Sequence, residues 1–584
     1  MVKKIFYIII IALLSLSSLK SQTTSGTEFW LTFGRVTSGN MPSNLDIQIR
    51  IATNNLPASV TIYFTHLDVS ETFTIPAYEV FTYDILDTNQ KNAVYNTTTG
   101  ITDYSIYISS SEEVSVYTCI GAGSMRDATN VLPVTALGTE YYQISYTPYS
   151  CLDAYAVIAT EDNTSVSYNG ETPIMLDAGE VYYRASTTDM TGSFITANNP
   201  VAFFAVNQLT AIPSSFSSVW SSLMQQLAPV KTWDNTFFVP VTIVGQEFVR
   251  IVASQNNTEI TTLSGGTVQF GVPGAQTDIT NLQAGEWVEL EISNTGCYIE
   301  ADKPIGVCSY MRTFPPPTVL RSLPAQAWVP GIKQTVFNAL IASFNVWYFS
   351  SMDHRALILT PTATKGSTMV SIGGAAPVPL YGGEWIENTT ADISFYSMPM
   401  THETESYIFS NPKGMIIFGY GVSLGAYNSY YYLAGSSMRD LTAAFFANGV
   451  GCEDMKDYLF CENEITFTTI ISNIAEVDSL KWYRKKISGT PDPNYILITE
   501  DDVEVEGDFP LEWTRRFSAG NYMIKLDVYH GGDPNPDPEL SCEGELCIGV
   551  WIKTIPVTSA GGTVSPAVEC YKVGSKIELR SLPH

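Results

Sequence analysis

The residues with the clearest chemical lure are Gly421-Val422-Ser423-Leu424-Gly425. This spacing fits the G-x-S-x-G elbow, in which a sharp strand-to-helix turn exposes a serine nucleophile for ester hydrolysis. An apolar run, Met415 to Phe418, stands just ahead of it, and His530 follows far downstream. An elbow serine needs a parallel sheet with alternating helices around it, and the flanking pattern is of antiparallel type. A Gly-rich turn leaving a strand is the preferred reading of Ser423. The Asn163-Thr164 and Asn257-Thr258 pairs offer oxygen ligands for calcium or a sugar. They also suit tight turns, because Asn tolerates left-handed backbone and bonds its own chain. Asp533-Pro534-Asn535-Pro536-Asp537-Pro538-Glu539 spaces its carboxylates like a metal loop but lacks the glycine and closing glutamate of an EF-hand, so it reads as a stiff acidic loop. Trp287, Trp385, Tyr427, Tyr430 and Tyr431 are the candidate ligand-contact aromatics, since rigid rings make good interface anchors. The competing place for them is a sandwich core. No cofactor and no metal site is expected.

These residues sit in a phrase that recurs four times. An apolar strand runs into an Asn/Thr turn, a Gly-Glu or Tyr-Glu pair precedes another apolar run, and an aromatic-rich strand follows a Pro or acidic turn. The second copy reads Ala156-Val157-Ile158-Ala159-Thr160-Glu161-Asp162-Asn163-Thr164, Ala178-Gly179-Glu180 and Asn199-Pro200-Val201. The third reads Arg250-Ile251-Val252-Ala253, Ala284-Gly285-Glu286-Trp287 and Asp302-Lys303-Pro304-Ile305. The fourth keeps Gly383-Glu384-Trp385 and Asn411-Pro412; the first is looser, with Arg50-Ile51-Ala52, Tyr78-Glu79 and Glu112-Glu113. Repetition of this kind points to similar modules rather than one catalytic centre. The copies are expected at about 45–121, 142–208, 246–312 and 352–432, within a region spanning 22–450. Stretches such as Gln225-Gln226-Leu227-Ala228-Pro229 read as connectors.

The expected fold class is all-β: tandem β-sandwich-like repeats, with a large-bladed β-propeller as the alternative. A further sandwich, Ig-like or PKD-like, is expected at 452–552, with Trp482 in its core and Gly520-Asn521-Tyr522-Met523-Ile524-Lys525-Leu526 as an alternating strand. Residues 553–584 resemble the opening of a bacterial surface β-repeat that stops before it is complete.

The chain has 584 residues and a formal charge of −28, from 30 basic and 58 acidic residues. So acidic a surface repels nucleic acid and anionic lipid, and neither is an expected partner. Lys3 and Lys4 followed by Ile5 to Leu14 read as a secretory signal ending near residue 21. No later run is long and apolar enough for a membrane helix. The expected place is therefore outside the cell or on a bacterial cell surface. Nine cysteines in an exported chain suggest disulfides, with Cys297 and Cys308 as the candidate pair, while Cys119 and Cys151 bracket the connector between the first two copies.

Gly26-Thr27-Glu28-Phe29, Leu132-Pro133-Val134, Leu137-Gly138-Thr139-Glu140-Tyr141-Tyr142, Ile158-Ala159-Thr160-Glu161-Asp162-Asn163-Thr164 and Gln226-Leu227-Ala228-Pro229-Val230-Lys231-Thr232-Trp233, in this order, resemble the N-terminal domain family of IgGFc-binding proteins. The resemblance covers about residues 26–310, and the fourth copy extends it to about 440. It implies binding to the Fc part of immunoglobulin G in animal members, exported bacterial members, and no catalytic residues. The first copy departs from it by lacking the Pro before its last strand. The resulting expectation is a non-enzymatic binding or adhesion protein that contacts a host or matrix glycoprotein through repeated modules. An extracellular hydrolase, acting through Ser423 or on carbohydrate, and a structural stalk are the alternatives.

Overall fold

The computed structural model describes residues 23–36, 44–123, 125–215, 219–313, 320–344, 352–424 and 428–438 of a first unit, Ser21–Arg439. Beyond Asp440 it describes 445–448, 450–452, 455, 459–460, 464–469, 477–488, 490–498, 512–530, 542–548, 550–552 and 569–571. The expected signal segment, Tyr427, the 533–539 loop and most of 553–584 lie outside the described residues.

Each copy in the first unit is built on one long strand: Ile106–Ala122, Phe194–Thr210, Cys297–Met311 or Tyr407–Leu424. Its second half is buried on both faces, as in Val201-Ala202-Phe203-Phe204-Ala205-Val206, so it reads as a continuous apolar run. An opening strand pairs antiparallel with the first half (Ser25–Leu31, Gly138–Tyr142, Asp234–Val239, Val336–Ile341). The second strand pairs with the second half (Asp46–Thr53, Asp153–Ala159, Phe248–Ala253, Met352–Pro361). A third returns to the first half (Ala58–Phe64, Thr164–Tyr168, Ile260–Ser264, Met369–Ile372). A flanking strand lies outside the second (Val80–Asp84, Val181–Ser186, Trp287–Ile292, Ile393–Pro399). A closing strand then takes the free side of the second half (Met125–Val131, Ser221–Gln226, Ala325–Val329, Ser429–Gly435). The copies therefore share one topology.

The Pro or acidic turn marks where the long strand passes from one curled sheet to the other. The opening strand's register jumps over Ser110–Glu113, Ala197–Pro200, Ala301–Pro304 and Asn411–Gly414. Pro200, Pro304 and Pro412 carry no N–H for a ladder, and such irregularities bend a strand. The outer half of each copy is sandwich-like. The inner half, running flanking–second–long–closing, is a four-stranded antiparallel blade with the closing strand innermost. The segments expected to be connectors are thus central strands.

The four copies close into a ring. Gly100–Thr102 joins the sheet of the second copy beside Val181–Ser186. Tyr420 Oη of the fourth copy accepts from Ile243 N of the third at 3.3 Å. Val80 N of the first donates to Thr404 O of the fourth at 2.7 Å, and Thr24 N to Ser436 O at 3.1 Å. One hydrophobic cluster holds side chains from all four copies, and another joins the first to the fourth. The copies are not separable beads.

One sequence correspondence fails. Gly179-Glu180 and Gly285-Glu286 lead directly into flanking strands. Trp385 of Gly383-Glu384-Trp385 instead starts the strand Trp385–Asn388, which pairs outside the flanking strand of the fourth copy.

In the second unit, Phe445–Ala447, Val450–Gly451, Glu464–Thr469 and Glu512–Arg516 form one sheet. Leu459–Phe460, Val477–Lys486, Ile496–Leu497, Gly520–His530 and Cys542–Ile548 form another. Trp482 packs edge-on to Trp513 with centroids 5.1 Å apart, inside a core shared by both sheets.

Candidate functional site

The ring's centre is a single carboxylate. Asp127, on the first closing strand, is 1% exposed. Its Oδ1 accepts from Ala128 N at 2.9 Å, and its Oδ2 accepts from Met224 N at 3.2 Å and Gln326 N at 3.3 Å. The Tyr431 N–H also donates to it. The ladder pairings of the closing strands put Ala128, Met224, Gln326 and Tyr431 at equivalent positions of the four copies. Four related N–H groups therefore converge on one side chain from one copy. Burial holds the Asp127 carboxyl well above its ordinary range, and the four N–H groups offset only part of that rise. Around it, Gln225 Nε2 donates to Thr129 Oγ1 at 2.7 Å, and Leu132 N to Gln226 Oε1 at 2.8 Å. The axis is a filled polar core.

Between the second and third copies lies a buried ionic latch. The fully buried Arg250 donates from Nη1 to Asp189 Oδ2 at 2.7 Å and from Nε to Glu289 Oε2 at 3.0 Å. Its guanidinium sits between the Tyr146 and Trp287 rings, 4.0 and 4.1 Å from their centroids. Burial alone pushes Asp189 up, but the charge of Arg250 and the hydrogen bonds from Thr191 and Arg250 bring it below its ordinary value. Arg50 holds the matching position in the first copy, as its pairing with Tyr117 and that of Arg250 with Cys308 show. It reaches Thr82 Oγ1 at 2.6 Å and the Glu403 carbonyl of the fourth copy. Ala156 and Leu357 take this position in the other two copies.

The expected contact aromatics are largely interior. Trp287 is 4% exposed beneath Arg250, while Tyr430 and Tyr431 are 2% and 0% exposed on the last closing strand. None of these three reaches solvent as a ligand contact would require, because Tyr430 and Tyr431 lie on an innermost closing strand and Trp287 is covered by Arg250 between the second and third copies. Trp385 alone remains half-buried, tilted against Tyr396 with ring centroids 5.1 Å apart, with the exposed Tyr381 and Ile386 nearby in sequence.

The expected Cys297–Cys308 disulfide fails, and the elbow reading of Ser423 finds no support. Cys297 and Cys308 are free thiols, as are Cys119 and Cys151. Cys297 and Cys308 lie on one continuous strand, eleven residues apart, which holds their backbones beyond the reach of a disulfide. In the second unit Cys452 is disulfide-bonded. Ser423 is buried within the antiparallel strand Tyr407–Leu424, paired with Met352 and Arg321, so it sits on no strand-to-helix elbow. His530, the histidine far downstream of it, ends a strand in the second unit.

The Asn/Thr turns are structural clamps. Asn163 and Asn257 have φ of 59° and 57°. Thr164 Oγ1 donates to Glu161 O at 2.7 Å, as Thr258 Oγ1 does to Gln255 O at 2.8 Å. In the facing turns Glu180 accepts from Asp177 N and Glu286 from Gln283 N, both at 2.8 Å. Gly179 and Gly285 take φ of 85° and 83°, a region that favours glycine. The repeated phrase thus encodes two interlocked turns. Among the described residues no cluster of three or more His, Cys, Asp or Glu is arranged to hold a metal, and no helix is long and apolar enough to cross a membrane.

These features define a closed, radially repeated β-scaffold with a packed axis. A family model described as IgGFc binding protein matches residues 127–421, from the axial aspartate through the second, third and most of the fourth copy. That is just over half of the chain, and the chain belongs to this family. The human IgGFc-binding protein is 27% identical over 212 residues, which cover 33% of this chain and 4% of that protein. The chain therefore matches only a small part of that relative's length.

Proposed function

We propose that the ring is an extracellular, non-enzymatic scaffold that binds a protein or glycoprotein. The observation that carries this reading is family membership across three of the four copies, joined to a ring whose axis is packed with its own polar side chains. A rigid ring with a filled centre recognises with its outside. On that outside, the segment of the fourth copy holding the exposed Tyr381 and Ile386 and the half-buried Trp385 offers aromatic and apolar side chains suited to a macromolecular ligand. The leader-like first residues support export to the outside of the cell or a bacterial surface. The two sheets around Trp482 in the second unit support an Ig-like or PKD-like spacer. Because the copies interlock, ligand binding belongs to the whole ring and not to one excised copy.

The test is biosensor binding of the full chain to immobilised immunoglobulin Fc, mucin and fibronectin. Binding of at least one, weakened tenfold or more in Tyr381→Ala/Trp385→Ala with unchanged unfolding, is the expected result. No binding to any, or binding indifferent to these residues, refutes the assignment of this segment.

A further inference from the structure

The strand Val69–Ile75 is the outermost strand of the first copy's sheet, paired only with Ala58–Phe64. Among the described residues no other backbone group hydrogen-bonds to its outer edge, while the Glu71 carboxylate accepts from Tyr83 Oη at 2.8 Å and Gln90 Nε2 at 3.2 Å. An open edge is a template for another strand, and proteins commonly blunt it with short length, Lys, Pro or bulges. The other copies do so. The corresponding strand is three residues in the second copy, Ile174–Leu176. In the third copy a single bridge, Thr258 with Leu282, stands in its place. In the fourth it is two residues ending in Pro379. In the first copy it runs seven residues in regular register with no Pro, Lys or bulge, and Val69 is 45% exposed.

Charge identifies the occupant. Ser25–Leu31, Ala58–Phe64, Val69–Ile75 and residues 106–113 make up this outer sheet. They carry Glu28, Glu71, Glu112 and Glu113 and no Lys or Arg. We propose that Val69–Ile75 accepts an extended cationic segment of a partner protein as an added β-strand. Backbone hydrogen bonds would supply affinity, and the Lys/Arg side chains of an alternating segment would share the face of Glu71, leaving its apolar side chains on the face of Ser70 and Thr72. The inference rests on the protein-binding reading but places a contact on the first copy, away from Trp385.

The test uses the full chain and a fluorescein-labelled, end-capped nonapeptide of alternating Lys and Val, read by polarisation and by hydrogen exchange. Binding is expected, with slowed exchange confined to the 58–75 hairpin. It should fall at least tenfold for the same peptide N-methylated at alternate residues, and for a Glu-Val peptide. Thr72→Pro should weaken it similarly, and so should Val69→Lys, a surface change that keeps the hairpin. Equal binding of the N-methylated peptide, protection elsewhere, indifference to Val69→Lys, or no binding overturns the inference. None of these outcomes bears on binding through the Tyr381–Trp385 segment, which is read with different ligands.

Discussion

Asp127→Ala probes the physical basis of the ring most directly. The substitution removes the acceptor for Met224, Gln326 and Tyr431 N–H groups, one from each of the other three copies. A buried donor left without a partner costs about 1–3 kcal/mol. A water entering the vacated space would recover part of that. The expected net loss is about 3–5 kcal/mol, because stranded donors of one network are not additive. Asp127→Asn should also destabilise, since it turns an amide N–H₂ toward donors. Urea unfolding gives the magnitude, and hydrogen exchange tests the mechanism. Peptides covering Met125–Val131, Ser221–Gln226, Ala325–Val329 and Ser429–Gly435 should lose protection together, although about a hundred residues separate each from the next. Loss confined to the first peptide, or a change below about 1 kcal/mol, would refute the idea that this carboxylate ties the copies together.

Two other perturbations read the interfaces. Arg250→Ala strands the buried Asp189 and Glu289 and should cost about 3–5 kcal/mol, whereas Arg250→Met with Asp189→Asn and Glu289→Gln should recover most of it, as thermal unfolding would show. Glu247 is fully buried, accepting from Thr242 N and Ser309 Oγ and facing the Tyr420 and Tyr431 hydroxyls of the fourth copy; burial raises its carboxyl from 4.5 to about 7. The native state therefore holds a proton that the unfolded chain releases. Stability tied to this group is full below pH 4.5 and declines as pH rises to about 7, by about 3 kcal/mol, and Glu247→Gln should flatten the urea midpoint across that range.

The local grammar of this protein was legible in its residues. Period-two and continuous apolar runs marked the strands. Asn163 and Asn257 marked left-handed turns, and Pro200, Pro304 and Pro412 marked the breaks in the long strands. Such features depend on neighbours in sequence, so each copy announces them alone. The closing strands were not legible. Met125-Arg126-Asp127 and Gln225-Gln226 look like surface connectors because they are polar, and polar residues can be buried only when partners exist. Their partners are the backbone and side chains of other copies, some hundred or two hundred residues away. The same holds for Trp287, which an exposed site would also favour until Arg250 is seen to cover it.

Sequence by itself determined that this is an all-β chain of four related units, since alternation, turn residues and repetition are local properties. Tertiary structure alone decided that the units close into one ring, that a single aspartate serves four strands at its axis, and that the serine of the elbow-like motif is shut inside a sheet. The physical reason is that hydrogen-bond satisfaction and burial are settled between segments distant in the chain, where no spacing rule reaches.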